Sequence, residues 1–314
     1  MFRNITSGLS LSLAVLLFSG LANGAGEQSS TQSFEQARNT IVVGRVSTNP
    51  KKHYKHQKLL VDYLAKNLSE FGITEGKILF AKNNEQMIRY IKQGKIDLIT
   101  ETVFSATEFK NRAGAEMVLR RWKKGVPEYS SLIFARKDSG IKSFDDLVGK
   151  TIAFQDAGSS TAFFIPAALL IQSGFQLVPL DNPRESTPPG TIGYVFANKE
   201  INISAWVHKG IVAAGALSDL DWDNEEDLPE NFRADSVIIY ESVPFPRSVE
   251  LFRPDMDSAL KQRITELLLT AHETEEGKNA LRAYQKTTKF DELSAHEESL
   301  LLIDDLVKIV TEQL

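Results

Sequence analysis

The sequence predicts an α/β protein of two lobes with a hinge cleft between them, each lobe a mostly parallel sheet flanked by helices. Strand-like and helically periodic segments alternate in a β-α-β-α-β order over residues 41–100, and a second β-α-β unit opens at residue 150. Such alternation is typical of a parallel sheet with helices on both faces. Further helices follow near the end of the chain. We therefore expect the chain to cross between the lobes twice, near Arg136 and again near Asp235.

The first lobe is predicted from residues 40–135 and 236–293. IVVGRV, at residues 41–46, is rich in β-branched residues and predicts a buried strand, whereas residues 54–71 repeat apolar side chains at helical spacing. The other elements predicted here are strands at 77–81, 95–100, 116–122, 129–136 and 236–240, and helices at 85–93, 255–272 and 275–286.

The second lobe is predicted over residues 136–235. Its most informative stretch is SFDDLVGKTIAFQDAGSSTAFFIP, at residues 143–166, which runs from a strand through a turn into a long apolar helix. The remaining predicted elements are strands at 175–180 and 211–216, a weak helix at 198–209, and loops at 181–190 and 219–231. An amphipathic helix within residues 294–314 is predicted to end the chain.

The N-terminus is typical of a secretory signal. Arg3 precedes the apolar stretch at residues 9–21, and small residues follow, so we expect a signal peptide over residues 1–24, cleaved near Gly24. Residues 25–39 are polar and aperiodic, as in a flexible tether. No other apolar stretch approaches the roughly 20 residues of a membrane span, so no direct membrane insertion is expected after cleavage. The predicted location is the periplasm.

Composition excludes several classes of function. The chain has no cysteine, which excludes disulfides and cysteine-ligated metals. After loss of Arg3 there are 35 basic against 41 acidic residues. Two short basic groups, Lys51-Lys52 and the run at residues 120–124, are interpreted as solvated surface rather than a nucleic-acid stripe. No nucleic-acid partner is expected.

Three consecutive hydroxyl side chains, Ser159, Ser160 and Thr161, stand where the apolar helix of the second lobe begins. The first N–H groups of a helix have no intrahelical acceptor and carry the positive end of the helix dipole, so these hydroxyls are suited to complete an oxyanion site. Ordinary helix capping is the alternative, because serine and threonine are favoured at N-caps in any protein.

The chain resembles the periplasmic substrate-binding proteins of phosphate, phosphite and phosphonate ABC transporters, the phosphonate-binding type. The resemblance covers roughly residues 41–293 and rests on YSSLIFARKDS, DLVGKTIAFQDAGSST, VPFP and EEGKNALRAYQKTTKFDEL. It implies a type II periplasmic-binding fold whose lobes close on a small ligand. It also implies that Ser159, Ser160 and Thr161 bind the phosphoryl oxygens and that Tyr129 packs on the ligand, although Tyr129 is equally suited to a half-buried strand position.

Other positions depart from the pattern of that family. Asn84 replaces a tyrosine after the second strand, and no histidine aligns with the family's phosphonate-assisting histidine. Glu101 and Thr102 stand in place of a glycine-containing turn. The Glu101 carboxylate would repel a phosphate dianion or pair with a cationic part of the ligand, and surface exposure is the alternative. Arg45 is a candidate for the matching positive charge, with a surface role as its alternative.

These features favour a periplasmic solute-binding protein that captures a small oxyanion in the cleft and delivers it to an ABC transporter permease. A phosphonate, phosphite, phosphate or phosphate ester is the expected ligand class. The alternative is a sensory protein of the same fold that reports to a membrane histidine kinase or cyclase. We expect no enzyme, no cofactor and no metal site, because neither a G-x-S-x-G elbow nor an HExxH pattern is present.

Overall fold

The computed structural model describes residues 39–293 and 296–313. The predicted signal peptide lies outside the described residues, as does nearly all of the predicted tether. Within the described ranges, no helix combines the length and the apolar character needed to cross a membrane.

Strands and helices alternate along most of the described chain. The strands are β1 (Thr40–Val46), β2 (Glu75–Ala81), β3 (Leu98–Glu101), β4 (Glu116–Lys123), β5 (Glu128–Tyr129), β6 (Ser131–Arg136), β7 (Thr151–Phe154), β8 (Leu177–Pro179), β9 (Ile192–Phe196), β10 (Ala214–Ser218), β11 (Ser236–Glu241), β12 (Phe245–Pro246), β13 (Val249–Phe252) and β14 (Thr287–Glu292). The helices are α1 (Pro50–Lys66), α2 (Asn84–Lys92), α3 (Val103–Ala113), α4 (Ile165–Gln172), α5 (Glu200–His208), α6 (Asp219–Trp222), α7 (Glu230–Ala234), α8 (Ser258–Thr270), α9 (Glu275–Ala283) and α10 (Glu297–Gln313).

The first sheet has the order β14-β4-β13-β3-β1-β2 and, with helices α1, α2, α3, α8 and α9, forms lobe 1. β1 runs parallel to β2 and β3, whereas β13 is antiparallel to both β3 and β4. Ile41 and Val43 of β1 are fully buried. Gly44 beside them is required by close packing, because a Cβ there would come within 2.7 Å of Ile96 Cδ1.

The second sheet has the order β11-β6-β10-β7-β9-β8 and forms lobe 2 with α4, α5 and α7. Strands β10, β7, β9 and β8 are parallel neighbours, and β6 and β11 add antiparallel pairs at one side. The predicted lobe boundaries at residues 135 and 236 assigned β6 and β11 to lobe 1, but both pair in this sheet. Pairing partners of a strand depend on the whole sheet, so sequence pattern does not reveal them.

The crossings between the lobes lie side by side. β5 leads from lobe 1 to lobe 2, β12 leads back, and the two form a short antiparallel ladder in which Tyr129 pairs with Phe245. We call this ladder the crossover ladder.

Several predicted elements required correction. Helix α3 and strands β9, β13 and β14 were not predicted, and the loop predicted at 219–231 contains α6 and the first two residues of α7. The missed strands are short, or polar at nearly every position, as in TTKFDE of β14. Both sheets contain the predicted group of parallel strands, and antiparallel strands continue each group on one side.

Helix α10 packs against both lobes. It contacts α3 of lobe 1 and α4 of lobe 2. The shared apolar cluster consists of Val103, Phe104, Tyr129, Ile165, Ala168, Phe245, Ile303, Leu306, Val307 and Val310. The C-terminal helix is therefore part of the core that joins the lobes.

Candidate functional site

The hydroxyl triplet begins the helix of lobe 2 with a π-helical turn, Ser160–Phe164, directly before α4. Ser159 is the N-cap, and its Oγ accepts a hydrogen bond from the Ala162 N–H at 3.1 Å. The capping alternative therefore describes what Ser159 does in this structure.

Ser160 differs from its neighbour. It is only 2% exposed, and its Oγ has no hydrogen-bond partner of ordinary geometry among the described residues. Thr161 is also buried, and its carbonyl accepts a hydrogen bond from Ser131 Oγ at 2.5 Å, which ties the turn to β6. A buried hydroxyl without a partner is unfavourable, so Ser160 is the member of the triplet best placed to meet a ligand.

Tyr129 lies next to this turn, in the crossover ladder. Its ring packs on Phe245 with centroids 4.9 Å apart. Burial raises the pKa of the phenol, and the Arg247 guanidinium and the Ser160 hydroxyl oppose the rise. The Tyr129 and Ser160 hydroxyls are thus close neighbours, although no hydrogen bond of ordinary geometry engages Ser160 Oγ.

Arg247, immediately after β12, continues the site towards lobe 1. Its guanidinium carbon lies 6.0 Å from the centroid of the Tyr129 ring, and Nη1 donates to the Lys123 carbonyl at 2.9 Å. Burial lowers the pKa of Arg247, while Tyr129, Asp221 and Asp219 oppose this. Arg247 therefore connects the tyrosine with the end of β4.

The sheet of lobe 1 explains which residues gather there. β1 and β3 are parallel, and β13 is antiparallel to both β3 and β4, so β1, β3 and β4 all end at the edge where β13 begins. The ends of these strands carry Arg45, Glu101 and Lys123, and Arg247 lies shortly before β13. Arg121 lies in β4, two residues before Lys123. We call Arg45, Arg121, Lys123 and Arg247 the cationic cluster.

Lys123 shows how close these charges are. Its pKa is lowered to about 7 because burial removes water from the ammonium group, and then because Arg121, Arg247, Arg45 and Lys124 repel its positive charge. Its solvent exposure is intermediate, yet protein atoms surround the ammonium group densely.

Arg121 is 3% exposed and only partly satisfied. Its Nη2 donates to Ser248 Oγ at 2.9 Å and to Gln285 Oε1 at 3.2 Å, and the guanidinium lies over the Tyr284 ring at 4.6 Å. Nε stands 4.0 Å from Glu250 Oε1, and Nε and Nη1 have no hydrogen-bond partner. Two of the three guanidinium nitrogens are thus available.

Arg45 and Glu101 are two opposite charges near each other at this edge. Arg45 Nε and Nη1 are buried without hydrogen-bond partners, whereas Glu101 Oε1 accepts a hydrogen bond from the Val46 N–H at 2.9 Å. Burial raises the pKa of Glu101, and the charge of Arg45 is the largest opposing effect. The Glu101 side chain, although partly exposed, is thus held at the edge of the sheet by the Val46 N–H.

The remaining predicted site residues lie in two different settings. Thr102 is the N-cap residue of α3, and its Oγ1 is buried without a partner. Asn84 Nδ2 donates to Ser105 Oγ at 3.0 Å and to Glu108 Oε2 at 2.8 Å, so its amide joins α2 to α3. The structure places Ser160 beside Tyr129 and Glu101 beside Arg45, but it commits the Asn84 amide to lobe 1.

Arg121, Lys123 and Arg247 were not predicted as site residues. The run at residues 120–124 had been interpreted as solvated surface, and this was wrong for Arg120 and Arg121, which are 8% and 3% exposed. Alternating strand geometry explains the error, because Arg120 faces Asp291 on one side and Arg121 faces Tyr284 on the other. The strand predicted at 116–122 contains both arginines, and this was the signal that at least one of them is buried.

Comparison with protein families identifies the family of this chain. The family model described as "ABC transporter, phosphonate, periplasmic substrate-binding protein" matches residues 44–297. The chain is also 23% identical over 253 residues to the phosphonates-binding periplasmic protein of Escherichia coli K12, covering 79% of this chain and 70% of that protein.

Solved structures show the same similarity. XAC2383 from Xanthomonas citri bound to ATP has a TM-score of 0.81 and 32% identity, covering 88% of this chain and 100% of that chain. The chloride-bound form of XAC2383 gives a TM-score of 0.82 and 33% identity over the same shares. PhnD1 from Prochlorococcus marinus, in complex with methylphosphonate, has a TM-score of 0.61 at 15% identity, covers 87% of this chain and 98% of that chain, and supports the fold alone.

Proposed function

Because this chain belongs to the periplasmic substrate-binding proteins of phosphonate ABC transporters, we propose that it captures a small phosphorus oxyanion between its lobes and delivers it to a transporter permease. The family and the two-lobed periplasmic-binding fold agree with what the sequence predicted. The observation that carries the ligand class is the Ser160 hydroxyl, which is buried beside Tyr129 at the start of a helix and makes no hydrogen bond of ordinary geometry.

The hydrogen-bond donors around Ser160 favour a tetrahedral oxyanion as the ligand. The first N–H groups of the helix after Ser160 and the hydroxyls of Ser160 and Tyr129 are donors, and hydrogen bonds from such donors to an ionised oxygen are roughly twice as strong as neutral ones. Arg247, over the tyrosine ring, supplies a positive charge. Oriented donors and one cation suffice for capture, so no catalytic step is proposed.

The breadth of the ligand class follows from the relatives. XAC2383 was solved with ATP, and the matching family model and the Escherichia coli relative are named for phosphonates, so both a phosphate ester and phosphonates occur among the proteins that this chain resembles. We therefore include phosphonates, phosphite, inorganic phosphate and phosphate esters among the ligands proposed for this chain.

A thermal-shift screen of the ligand-free protein tests this proposal. A ligand that binds only the folded state raises the melting temperature. We expect at least one phosphorus oxyanion to raise it, and neutral sugars and amino acids to leave it unchanged. The absence of any effect from phosphonates, phosphite, phosphate and phosphate esters at millimolar concentration would contradict the oxyanion assignment.

The Ser160→Ala variant locates the binding site. A hydrogen bond to a charged group contributes on the order of 1.5 to 3 kcal/mol, so calorimetry should show the affinity for the ligand found in the screen falling roughly tenfold or more. Ser173→Ala, at the exposed C-cap of α4, is the matched control and should bind like wild type. Equal affinity of the two variants would remove Ser160 from the site.

Delivery is tested separately from capture. In a strain lacking this gene, uptake of the identified ligand should be lost and should return when the wild-type protein is restored. Normal uptake in that strain, together with tight binding by the purified protein, would favour the sensory role over transport.

A further inference from the structure

The cationic cluster of lobe 1 exceeds what a single phosphoryl group at the Ser160 turn requires. We infer that the cluster is a second anion subsite of the same cleft, so that the ligand carries at least two linked phosphoryl groups, as in a polyphosphate or its ester. This inference rests on the proposed function and specifies its ligand class.

The cationic cluster contains several hydrogen-bond donors without acceptors. Two guanidinium nitrogens of Arg45 and two of Arg121 are buried without hydrogen-bond partners. Arg121 is more than nine-tenths buried, and it lies on the same side of β4 as Lys123, two residues on. Buried charged donors without acceptors are strongly unfavourable, and phosphoryl oxygens are the acceptors that guanidinium groups match best.

The charges around Lys123 also favour an anionic ligand. The carboxylates that act on the cluster are Glu101, beside Arg45, and Glu250, beside Arg121, while Asp219 and Asp221 of lobe 2 act on Arg247. Glu250 is fully buried, with a pKa raised to about 7, so it is only partly ionised at neutral pH. Lys123 forms no ion pair with a described residue. The charged groups that affect its pKa most are all positive, namely Arg121, Arg247, Arg45 and Lys124. The surroundings of Lys123 therefore favour an added anion.

Neighbouring side chains link Ser160 of lobe 2 to Lys123 of lobe 1. Ser160 adjoins Tyr129, the Tyr129 ring adjoins Arg247, and Arg247 donates to the Lys123 carbonyl. Tyr129 and Arg247 thus connect the hydroxyl turn of lobe 2 with the strand ends of lobe 1. A chain of phosphoryl groups along this path would contact both lobes and stabilise their closed arrangement, because a ligand favours the state for which it has the higher affinity.

Calorimetry with inorganic phosphate, pyrophosphate and tripolyphosphate at about 0.15 M salt, where long-range attraction is screened, tests the inference. These probes share one chemistry and differ in the number of phosphoryl groups. We expect tripolyphosphate to bind at least tenfold more tightly than phosphate. Phosphate binding as tightly as tripolyphosphate would overturn the second subsite and leave the proposed function intact, whereas no phosphorus oxyanion binding at all would contradict both.

Variants separate the two subsites. Lys123→Met should weaken tripolyphosphate binding about tenfold while changing phosphate binding less than about threefold, and Lys123→Arg should restore most of the difference. Lys82→Met removes an exposed lysine of lobe 1 and is the matched control. Ser160→Ala should weaken all three probes. The second subsite is refuted if Lys123→Met binds tripolyphosphate as tightly as Lys82→Met does, with circular dichroism showing both variants folded.

Discussion

The Phe104 ring of lobe 1 lies flat on the Phe164 ring of lobe 2, with centroids 3.3 Å apart and an interplanar angle of 6°. Phe104 belongs to α3, which begins directly after Glu101 and Thr102, and Phe164 ends the π-helical turn that begins at Ser160. The stacked rings thus join the two segments that carry the candidate ligand donors. Helix α10 covers this contact from outside, so the lobes share an apolar core beside the cleft.

We predict that Leu306→Ala destabilises the protein, because Leu306 is 2% exposed in the core shared by the lobes. Large-to-small substitutions in a core lower the free energy of unfolding by roughly 2 to 5 kcal/mol. Leu301→Ala on the same helix is the control, since Leu301 is 66% exposed and should change that free energy by less than about 0.5 kcal/mol. Urea denaturation measures both, and similar values would exclude α10 from the shared core.

We predict that tripolyphosphate affinity falls as pH rises through neutrality, in part because Lys123 loses its proton. Burial and the neighbouring positive charges lower its pKa to about 7. A bound polyanion favours the protonated lysine, so the contribution is present below pH 7 and is lost above the pKa of the complex. Arg45, Arg121, Lys124 and Arg247 face the same group, and Glu250 and the ligand itself also titrate.

The comparison of wild type with Lys123→Met isolates the lysine, because titration of Glu250 and of the ligand is common to both proteins. Calorimetry at pH 6 and pH 8.5 should show that wild type loses more tripolyphosphate affinity between these two pH values than Lys123→Met does. Parallel losses in the two proteins would show that Lys123 does not titrate on binding.

We predict that Glu250 makes the folded state less stable as pH rises. Burial raises its folded-state pKa from 4.5 to about 7, so between these values the folded protein holds a proton that the unfolded chain has released. Stability is therefore lost as pH rises through this window, by at most about 3 kcal/mol at 1.36 kcal/mol for each unit of pKa.

Glu250→Gln removes this titration. Urea denaturation at pH 5 and pH 8 should show a smaller loss of unfolding free energy in the variant than in wild type. Identical losses would place the Glu250 pKa near its ordinary value in the folded protein.

We predict that Asn84→Ala leaves ligand affinity within about threefold of wild type. The Asn84 amide donates to Ser105 and Glu108, so its loss should lower stability by about 1 kcal/mol instead, the usual contribution of such hydrogen bonds. Calorimetry with the ligand found by thermal shift and urea denaturation together decide the matter. A large loss of affinity with unchanged stability would return Asn84 to the ligand site, as its sequence position had suggested.

Long periodic segments were predictable, and short strands were not. The apolar spacing of α1 and α8 identifies them without tertiary information, whereas β13, with four residues, has no pattern of its own. It forms a strand because β3 and β4 on either side supply its hydrogen bonds. The same dependence on neighbours explains why β6 and β11 were assigned to the wrong side of the predicted lobe boundary.

The sequence by itself determined the parts of the site that are local. Ser159, Ser160 and Thr161 are consecutive at a strand-to-helix junction, so their shared position needs no knowledge of the rest of the chain. Only the tertiary structure decided that Ser159 caps the helix while the Ser160 hydroxyl stays without a partner. It also decided that Arg45, Arg121, Lys123 and Arg247, far apart in sequence, meet at one edge of a sheet. Strand order and direction bring them together, and these depend on pairing across the whole lobe rather than on any local pattern.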